Sequence, residues 1–161
     1  MKKTAICVII LLAFVAIFKD RIGFKKEVTI NGLTSMTANV GATEAHLIGD
    51  TFTFEQALTA CPEGYRLPTR AEVEALSKNH SATVMYNGVA GRWFTGNELY
   101  SPSAPAVFLP RTYLDSRFDS GYYWTATTYD KNHAYVLVFN AKNVNVTYID
   151  RNNKVPVRCV K

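Results

Sequence analysis

Histidines and closely spaced acids are the residues of this chain that could support catalysis or bind a metal. The three histidines are His46, His80 and His133, and none of them lies in a recognisable nucleophile motif. His80 has no second histidine, cysteine or carboxylate at ligand spacing. Asp115 and Asp119 could contribute oxygens to a Ca²⁺ site, but such a site needs several oxygens that converge. We therefore predict that the protein is not an enzyme and holds no metal or cofactor.

Asparagine and aromatic side chains offer a different chemistry, which is recognition of a partner. In residues 143–149 asparagine alternates with valine, so the asparagines line one exposed face of a strand. Tyrosine, tryptophan and asparagine provide large amphipathic contacts with adaptable hydrogen bonds. The predicted ligand-binding residues are Trp124, Tyr129, Asn132, Asn143, Asn145, Arg151 and Asn153.

The charge distribution argues against a nucleic-acid partner. The net charge is +5, but six of the eighteen lysines and arginines precede Glu27. The chain from Glu27 onward has twelve cationic and twelve acidic residues, because one of the thirteen acids, Asp20, also precedes it. The basic balance therefore reflects the flanks of the first segment, and no basic run follows it.

The first segment has the pattern of an export signal. Lys2 and Lys3 precede residues 4–18, which carry no charge. A helix of that length covers roughly 22 Å, which is less than the ~30 Å hydrocarbon core of a membrane. Because no good cleavage site precedes Lys19, we favour a retained signal anchor, and a cleaved signal peptide stays open. The predicted organisation is a signal or anchor with a short linker at 1–26, followed by a domain at 27–161.

Two capping boxes predict two short helices. Thr53 with Gln56 begins the first, in which Phe54, Ala57, Leu58 and Cys61 fall on one face before Pro62 ends the helix. In the second helix the box is formed by Thr69 and Glu72, and Val73 and Leu76 face the core.

Strand patterns occupy both ends of the predicted domain. Residues 27–30 form a plausible strand that Asn31 and Gly32 close, and residues 33–45 are predicted as loop or an irregular edge. Residues 84–91 fit either a short strand or a loop. A long irregular segment over residues 92–120 contains one short strand at 107–110. Residues 134–139, 143–149 and 155–160 are predicted strands joined by two hairpin turns.

Alternation divides the last strands into two faces. Tyr135, Leu137 and Phe139 share one face, which with Val144 and Val146 is the predicted core. The opposite face is predicted to be exposed, and Pro156 limits the last strand to an edge or to a position where its missing N–H is harmless.

Four ordered motifs carry a resemblance to known families. They are G-Y-R-L-P-T-R-A-E-V at 64–73, G-Y-Y-W-T-A-T at 121–127, N-H-A-Y-V-L-V-F at 132–139 and V-R-C-V-K at 157–161. In these motifs, residues 51–161 resemble the bacterial extracellular domain called the Fibrobacter major paralogous domain. They also resemble the C-terminal domain of Legionella collagen-like adhesins, and both families are similar to C-type-lectin-like folds.

The resemblance implies a fold class and a disulfide. The fold is α+β and C-type-lectin-like, with two short helices packed on a twisted antiparallel sheet and a long irregular loop. An apolar helix precedes it at the N-terminus. A helix cysteine is bridged to a cysteine on the last strand, and Cys61 and Cys159 match those positions. The calcium-dependent sugar motifs of lectins are missing from this sequence, and so is the catalytic cysteine pair of the related formylglycine-generating enzymes.

These expectations combine into one functional prediction. A disulfide needs an oxidising compartment, which agrees with the export signal. We expect an exported, non-catalytic recognition domain in the periplasm or at the cell surface, anchored in the inner membrane through residues 4–18. Its expected partner is an envelope or surface protein or a glycan, bound without a classical calcium site. A structural or assembly subunit of an envelope or phage-associated complex is the alternative.

Overall fold

The architecture is built from short strands. The computed structural model of the chain describes residues 27–96, 104–112, 114 and 119–161. In that part of the chain the strands are β1 (Glu27–Ile30), β2 (Leu33–Met36), β3 (Thr51–Phe52), β4 (Ser81–Tyr86), β5 (Val89–Thr95), β6 (Ala106–Pro110), β7 (Gly121–Thr128), β8 (His133–Phe139), β9 (Val144–Asp150) and β10 (Val155–Pro156). The helices are α1 (Phe54–Ala57) and α2 (Arg70–Ser77).

The sheets correct the predicted fold class. Strands account for 44% of the described residues and the two short helices for 10%. The strands form four small antiparallel sheets with the orders β1-β2, β10-β3, β4-β5-β6 and β7-β8-β9. The prediction of an α+β, C-type-lectin-like fold, with two helices on one twisted sheet, is therefore wrong. The described part of the chain is a mostly β structure.

The additional strands lie in segments that the sequence predicts as loops or irregular structure. Residues 33–36 pair with β1 across the Asn31–Gly32 turn, where both residues have positive φ. Asn87 and Gly88 form a second turn of this kind between β4 and β5, with φ of 48° and 81°. β6 then pairs with β5, so the predicted irregular segment contributes two strands of a sheet.

The two helices begin where the capping boxes predict, but the first helix is shorter than predicted. Thr53 with Gln56 and Thr69 with Glu72 both form reciprocal capping boxes. α1 nevertheless has four residues, because the chain continues in tight turns after Ala57. Leu58, predicted to be in the core, is 46% exposed.

The β7-β8-β9 sheet is covered on both faces. One face carries Trp124, Ala134 and Val136 into a core shared with α1 and β10. On the other face Leu137 and Phe139 enter a second core, which α2 and β6 help to form. Val144, Val146 and Tyr135 are half-buried there. The predicted core face is therefore present, but the prediction that the opposite face of β8 is exposed is wrong.

The segment that follows β9 joins distant parts of the molecule. β10 pairs with β3 rather than with β9, so the predicted second hairpin is wrong. Beyond β10, the carbonyl of Val157 accepts a hydrogen bond from Val40, and the carbonyl of Cys159 accepts one from Met36. Every residue from 155 to 160 is buried.

The predicted disulfide is confirmed. Cys61 and Cys159 are bonded, with their Cα atoms 5.8 Å apart and a sequence separation of 98. The bond joins the turns after α1 to the buried 155–160 segment.

The predicted membrane segment, residues 4–18, and with it the predicted apolar helix, lies outside the described residues. Over residues 27–96, 104–112, 114 and 119–161, no helix combines the length and the apolar character needed to cross a membrane.

Candidate functional site

Trp124 belongs to the core rather than to a binding surface. Its side chain is fully buried, and its indole nitrogen donates a hydrogen bond of 2.7 Å to the carbonyl of Phe52. Its ring contacts the edge of Phe54 at a centroid distance of 5.5 Å. A buried indole with a satisfied N–H has no surface left for a ligand, so Trp124 leaves the set of candidate contacts.

Tyr129 is part of an aromatic group at the surface that we call the tyrosine surface, formed by the exposed Tyr129 and Tyr148 and the half-buried Tyr135. The rings of Tyr129 and Tyr148 are parallel, with centroids 3.9 Å apart and planes at 2°. Tyr135 stands perpendicular to both of them. Tyr129 and Tyr148 are 49% and 44% exposed, so a stacked aromatic pair lies at the surface.

The register of the β8-β9 hairpin creates this surface. Tyr135 lies directly opposite Tyr148, because the two strands pair from His133 with Asp150 to Phe139 with Val144. Tyr129 follows the end of β7, and its backbone N–H bonds the carbonyl of His133. The chain reversal between β7 and β8 thereby places the ring of Tyr129 against those of Tyr135 and Tyr148.

Arg70 supports the tyrosine surface from the start of α2. Its Nη1 donates to the Tyr135 hydroxyl at 2.8 Å, and its guanidinium carbon lies 4.3 Å from the centroid of that ring. Its Nε bonds Glu74 at 2.5 Å, and its backbone N–H bonds the Thr127 hydroxyl at 3.0 Å. These contacts restrict Arg70 and, through it, the ring of Tyr135.

The turn beside Tyr129 is organised by Asp130. Its carboxylate accepts bonds from the backbone N–H groups of Asn132 and His133 at 2.7 and 2.8 Å. The His133 ring nitrogen Nδ1 lies 2.9 Å from the same carboxylate. The bond from Asn132, with those from His133, lowers the pKa of Asp130. His133 in turn contacts the edge of Tyr148 at 5.6 Å.

The hydroxyl of Tyr129 stays protonated at neutral pH. Hydrogen bonding with Tyr148, followed by the charges of neighbouring groups, raises the pKa of Tyr129 above its ordinary value. The stacked pair lies beside the Asp130 carboxylate, and this arrangement suits recognition by ring contact and hydrogen bonding.

Asn132 and Arg151, which are also predicted ligand-binding residues, lie near this turn and make different contacts. Asn132 is exposed, and its carbonyl accepts the backbone N–H of Arg151. The guanidinium of Arg151 pairs with Glu55 and lies 4.7 Å from the ring centroid of Phe54. Arg151 therefore ties β9 to α1, while Asn132 remains next to Tyr129 as a possible contact.

The other predicted asparagines do not join the tyrosine surface. Asn143 and Asn145 lie near the opposite end of the hairpin, where Asn145 pairs with Val138. Asn145 and Tyr148 also point to opposite faces, because three positions separate them. Asn153 uses its side-chain nitrogen to donate to the carbonyl of Asp150 in a turn. These three residues stay untested as contacts of a ligand, but they do not form one site.

Several residues of this site are not among the predicted contacts. The sequence predicts Tyr135 as a core residue and considers His133 only as a histidine outside any nucleophile motif, and it gives no site role to Tyr148, Asp130 or Arg70. The alternation that predicted Val144 and Val146 on one face extends to Tyr148, and the turn at Asn140 sets its register with Tyr135. The signal was therefore present, whereas the position of Tyr129 depends on a chain reversal that alternation does not predict.

No metal site is evident in the described part of the chain, where no three histidines, cysteines or acids converge. Asp119 pairs with Arg111, and Asp115 lies outside the described residues.

Comparison with known proteins yields no relative of this chain. No family model matches it, and neither the curated proteins nor the solved structures that were searched provide a significant match.

Proposed function

We propose that this protein is an exported, membrane-tethered recognition module that binds a protein or glycan of the cell envelope through the tyrosine surface. The observation that carries the proposal is the exposed stacked pair of Tyr129 and Tyr148, held by Tyr135. The proposal includes no catalytic step.

The tyrosine surface has the properties of a preformed contact site. Two large side chains expose nearly half of their area next to each other, which leaves aromatic surface and hydroxyl groups available to a partner. Tyrosine loses little conformational entropy on binding, and the Arg70 and Asp130 contacts already restrict this group. A partner with a flat apolar face, such as a sugar ring or a peptide side chain, can therefore stack here at a small entropic cost.

Two observations support the compartment. The Cys61–Cys159 bond requires an oxidising environment, which export supplies. The charge-free segment at residues 4–18 follows two lysines, as in signal sequences and signal anchors. The tether itself lies outside the described residues and remains part of the proposal.

The test measures binding of the full chain to envelope fractions of the cells that produce it. Tyr148→Ala removes one ring of the stack, and we expect affinity to fall roughly tenfold or more, as at an aromatic hot spot. Met85→Ala is the matched control, because Met85 is 68% exposed on β4 and outside the tyrosine surface. Thermal melting of both variants verifies that they are folded.

The treatment of the envelope fraction identifies the partner. Loss of binding after protease treatment indicates a protein, and loss after periodate oxidation indicates a glycan. Equal affinities for wild type, Tyr148→Ala and Met85→Ala would contradict the proposal. A stoichiometric partner that copurifies equally with Tyr148→Ala would favour an assembly role instead.

A further inference from the structure

A concave site that shares no residue with the tyrosine surface lies beside α2. It is a pocket of about 300 Å³ between the β1-β2 hairpin, α2 and the second core. Its walls are mostly apolar and include Ile30, Leu33, Val73, Leu76, Leu109 and Leu137. Pockets of this size and character bind small molecules in other proteins.

Arg158 lines this pocket from the buried 155–160 segment and is 5% exposed. Its Nε donates to Asn39 Oδ1 at 2.8 Å, and its Nη1 donates to the carbonyls of Met36 and Thr37 at 3.1 and 2.8 Å. One N–H of Nη2 donates to the carbonyl of Phe108 at 3.0 Å. Every one of these acceptors is neutral, and the fifth N–H has no acceptor among the described residues.

Among the residues that the structure describes, no carboxylate pairs with the buried guanidinium of Arg158. Burial lowers the pKa of Arg158 to about 10, which still leaves the guanidinium charged at neutral pH. Tyr123 also lines the pocket, and burial raises its pKa, so it provides no anion. Among the described lining residues one carries a carboxylate, Glu72, but Arg66 and Thr69 already bind it. A buried charge is costly unless it is paired, so this site is electrostatically complementary to an anion.

We propose that this pocket binds a small apolar carboxylic acid whose carboxylate is the counter-ion of Arg158. The open N–H of Nη2 gives the carboxylate a charge-assisted hydrogen bond, and the apolar walls cover the rest of the molecule. A volume of about 300 Å³ equals roughly ten water volumes, which suits a ligand of about ten to fifteen non-hydrogen atoms.

The proposed ligand enters beside α2. Ala75 lines the pocket and is exposed, so the cavity reaches the surface at that residue. Nearby, Asn31 Nδ2 donates to Asn79 Oδ1 at 3.1 Å and connects the β1-β2 turn to the end of α2.

The first test compares two probes of the same size. The full chain in detergent micelles is titrated with 4-phenylbutanoate and with 4-phenylbutanamide, with protein-free micelles as the blank. Methyl NMR reports shifts at Leu33, Val73 and Leu137, which line the pocket. We expect the acid to bind at least tenfold more tightly than the neutral amide. Equal affinities, or no pocket shifts with the acid at millimolar concentration, would overturn the proposal.

The second test alters the protein. Ala75→Trp places a bulky side chain at the opening, and we expect at least a tenfold loss of affinity for 4-phenylbutanoate. Ala71→Trp is the matched control, since Ala71 is exposed on the same helix and does not line the pocket. Unchanged binding in Ala75→Trp would contradict the proposed site. Arg158→Gln, if it folds, should bind the acid and the amide equally, and a retained preference for the acid would contradict the role of Arg158.

This inference is independent of the recognition role at the tyrosine surface, because the two sites share no residue. Failure of either experiment leaves the other proposal intact.

Discussion

Among the residues that line the pocket, Glu72 has a carboxylate that accepts several hydrogen bonds from residues close to it in sequence. Its carboxylate accepts two bonds from Arg66, at 2.8 and 2.6 Å, and bonds from the backbone and hydroxyl of Thr69. The bond from Arg66 is the largest of the influences that lower the pKa of Glu72 to about 2. The ionised form of this side chain therefore stabilises the start of α2.

This pKa predicts an acid-dependent contribution to stability. The unfolded chain has a pKa near 4.5 at this residue, so the contribution of Glu72 is complete above about pH 4.5 and is lost as the pH falls to about 2. We expect Glu72→Gln to reduce the free energy of unfolding by about 1–3 kcal/mol at pH 7. The measurement is denaturant unfolding of wild type and variant between pH 7 and pH 2, where the two curves should converge.

Glu74→Gln is the control for this effect. Glu74 pairs with Arg70 at the surface, where an ion pair contributes on the order of 0.3–0.5 kcal/mol. A loss in Glu74→Gln as large as that in Glu72→Gln, or a Glu72→Gln difference that does not change with pH, would contradict the assignment.

Residue roles were predictable where they depend on near neighbours in sequence. The pair of Thr69 and Glu72 was recognised from its spacing, because a capping box spans three positions. Trp124 was misassigned, since its burial depends on α1 and on the carbonyl of Phe52, 72 positions away. Arg158 was not singled out either, because its acceptors come from distant segments.

At the scale of the elements, two glycines allow aromatic rings to cover the sheets. A Cβ at Gly121 would lie 2.3 Å from the Phe139 ring on the paired strand, and one at Gly91 would lie 2.2 Å from the Phe108 ring. Both rings are almost fully buried, and the Phe139 ring also contacts the rings of Phe94 and Tyr123. The absence of a side chain at these positions is therefore what allows β7 and β8, and β5 and β6, to pack as they do.

Gly121→Ala should consequently destabilise the protein by about 1–3 kcal/mol, which is the usual cost of forcing extra volume into a packed core. Gly96→Ala is the control, because its nearest neighbour is the end of the Asn31 side chain at 3.1 Å, and it should cost less than about 1 kcal/mol. Thermal and urea unfolding of both variants measure the difference. Equal stability of Gly121→Ala and wild type would contradict the close ring contact.

Elements were predictable where a turn signal joined them. The Asn31–Gly32 turn was recognised, and the Asn87–Gly88 turn carries the same signal. The pairing of β10 with β3 joins segments about a hundred positions apart, so no local pattern predicts it. The mostly β character was missed for the same reason, since strands without sharp alternation, such as β5 and β6, are specified by their partners.

At the scale of the whole molecule, we expect the Cys61–Cys159 bond to stabilise the fold most strongly, because it restricts the unfolded chain. It closes a loop across 98 positions, and the chain-entropy account assigns such a loop about 4–5 kcal/mol. We expect reduction of the bond to lower the melting temperature by roughly ten degrees or more, because each kcal/mol of stability corresponds to ~4–8 °C in small domains. The Cys61→Ser and Cys159→Ser double variant should lower the melting temperature by a similar amount. Cys7→Ser is the control and should melt as wild type does. An unchanged melting temperature after verified reduction would exclude a stabilising role for the bond.

The family resemblance was informative about the disulfide and misleading about the fold class. It indicated the two cysteines that the structure joins, and a match at two positions is enough to predict that bond. The fold class required the partners of ten strands, which the motifs do not contain. The tyrosine surface likewise combines residues from β8, β9 and the turn between β7 and β8, so it was visible in the sequence only in part.

The buried segment at residues 155–160 also sets an order of events during synthesis. Its partner Arg66 leaves the ribosome nearly a hundred residues before it does, and its partners Ser35 and Met36 leave more than a hundred residues before it. Until this segment emerges, its partners lack the neighbour that covers them, and the first core, which includes Val155, Val157 and Cys159, cannot close. A growing polypeptide that stops short of residue 155 therefore leaves that part of the structure exposed, while the second core contains no residue of this segment.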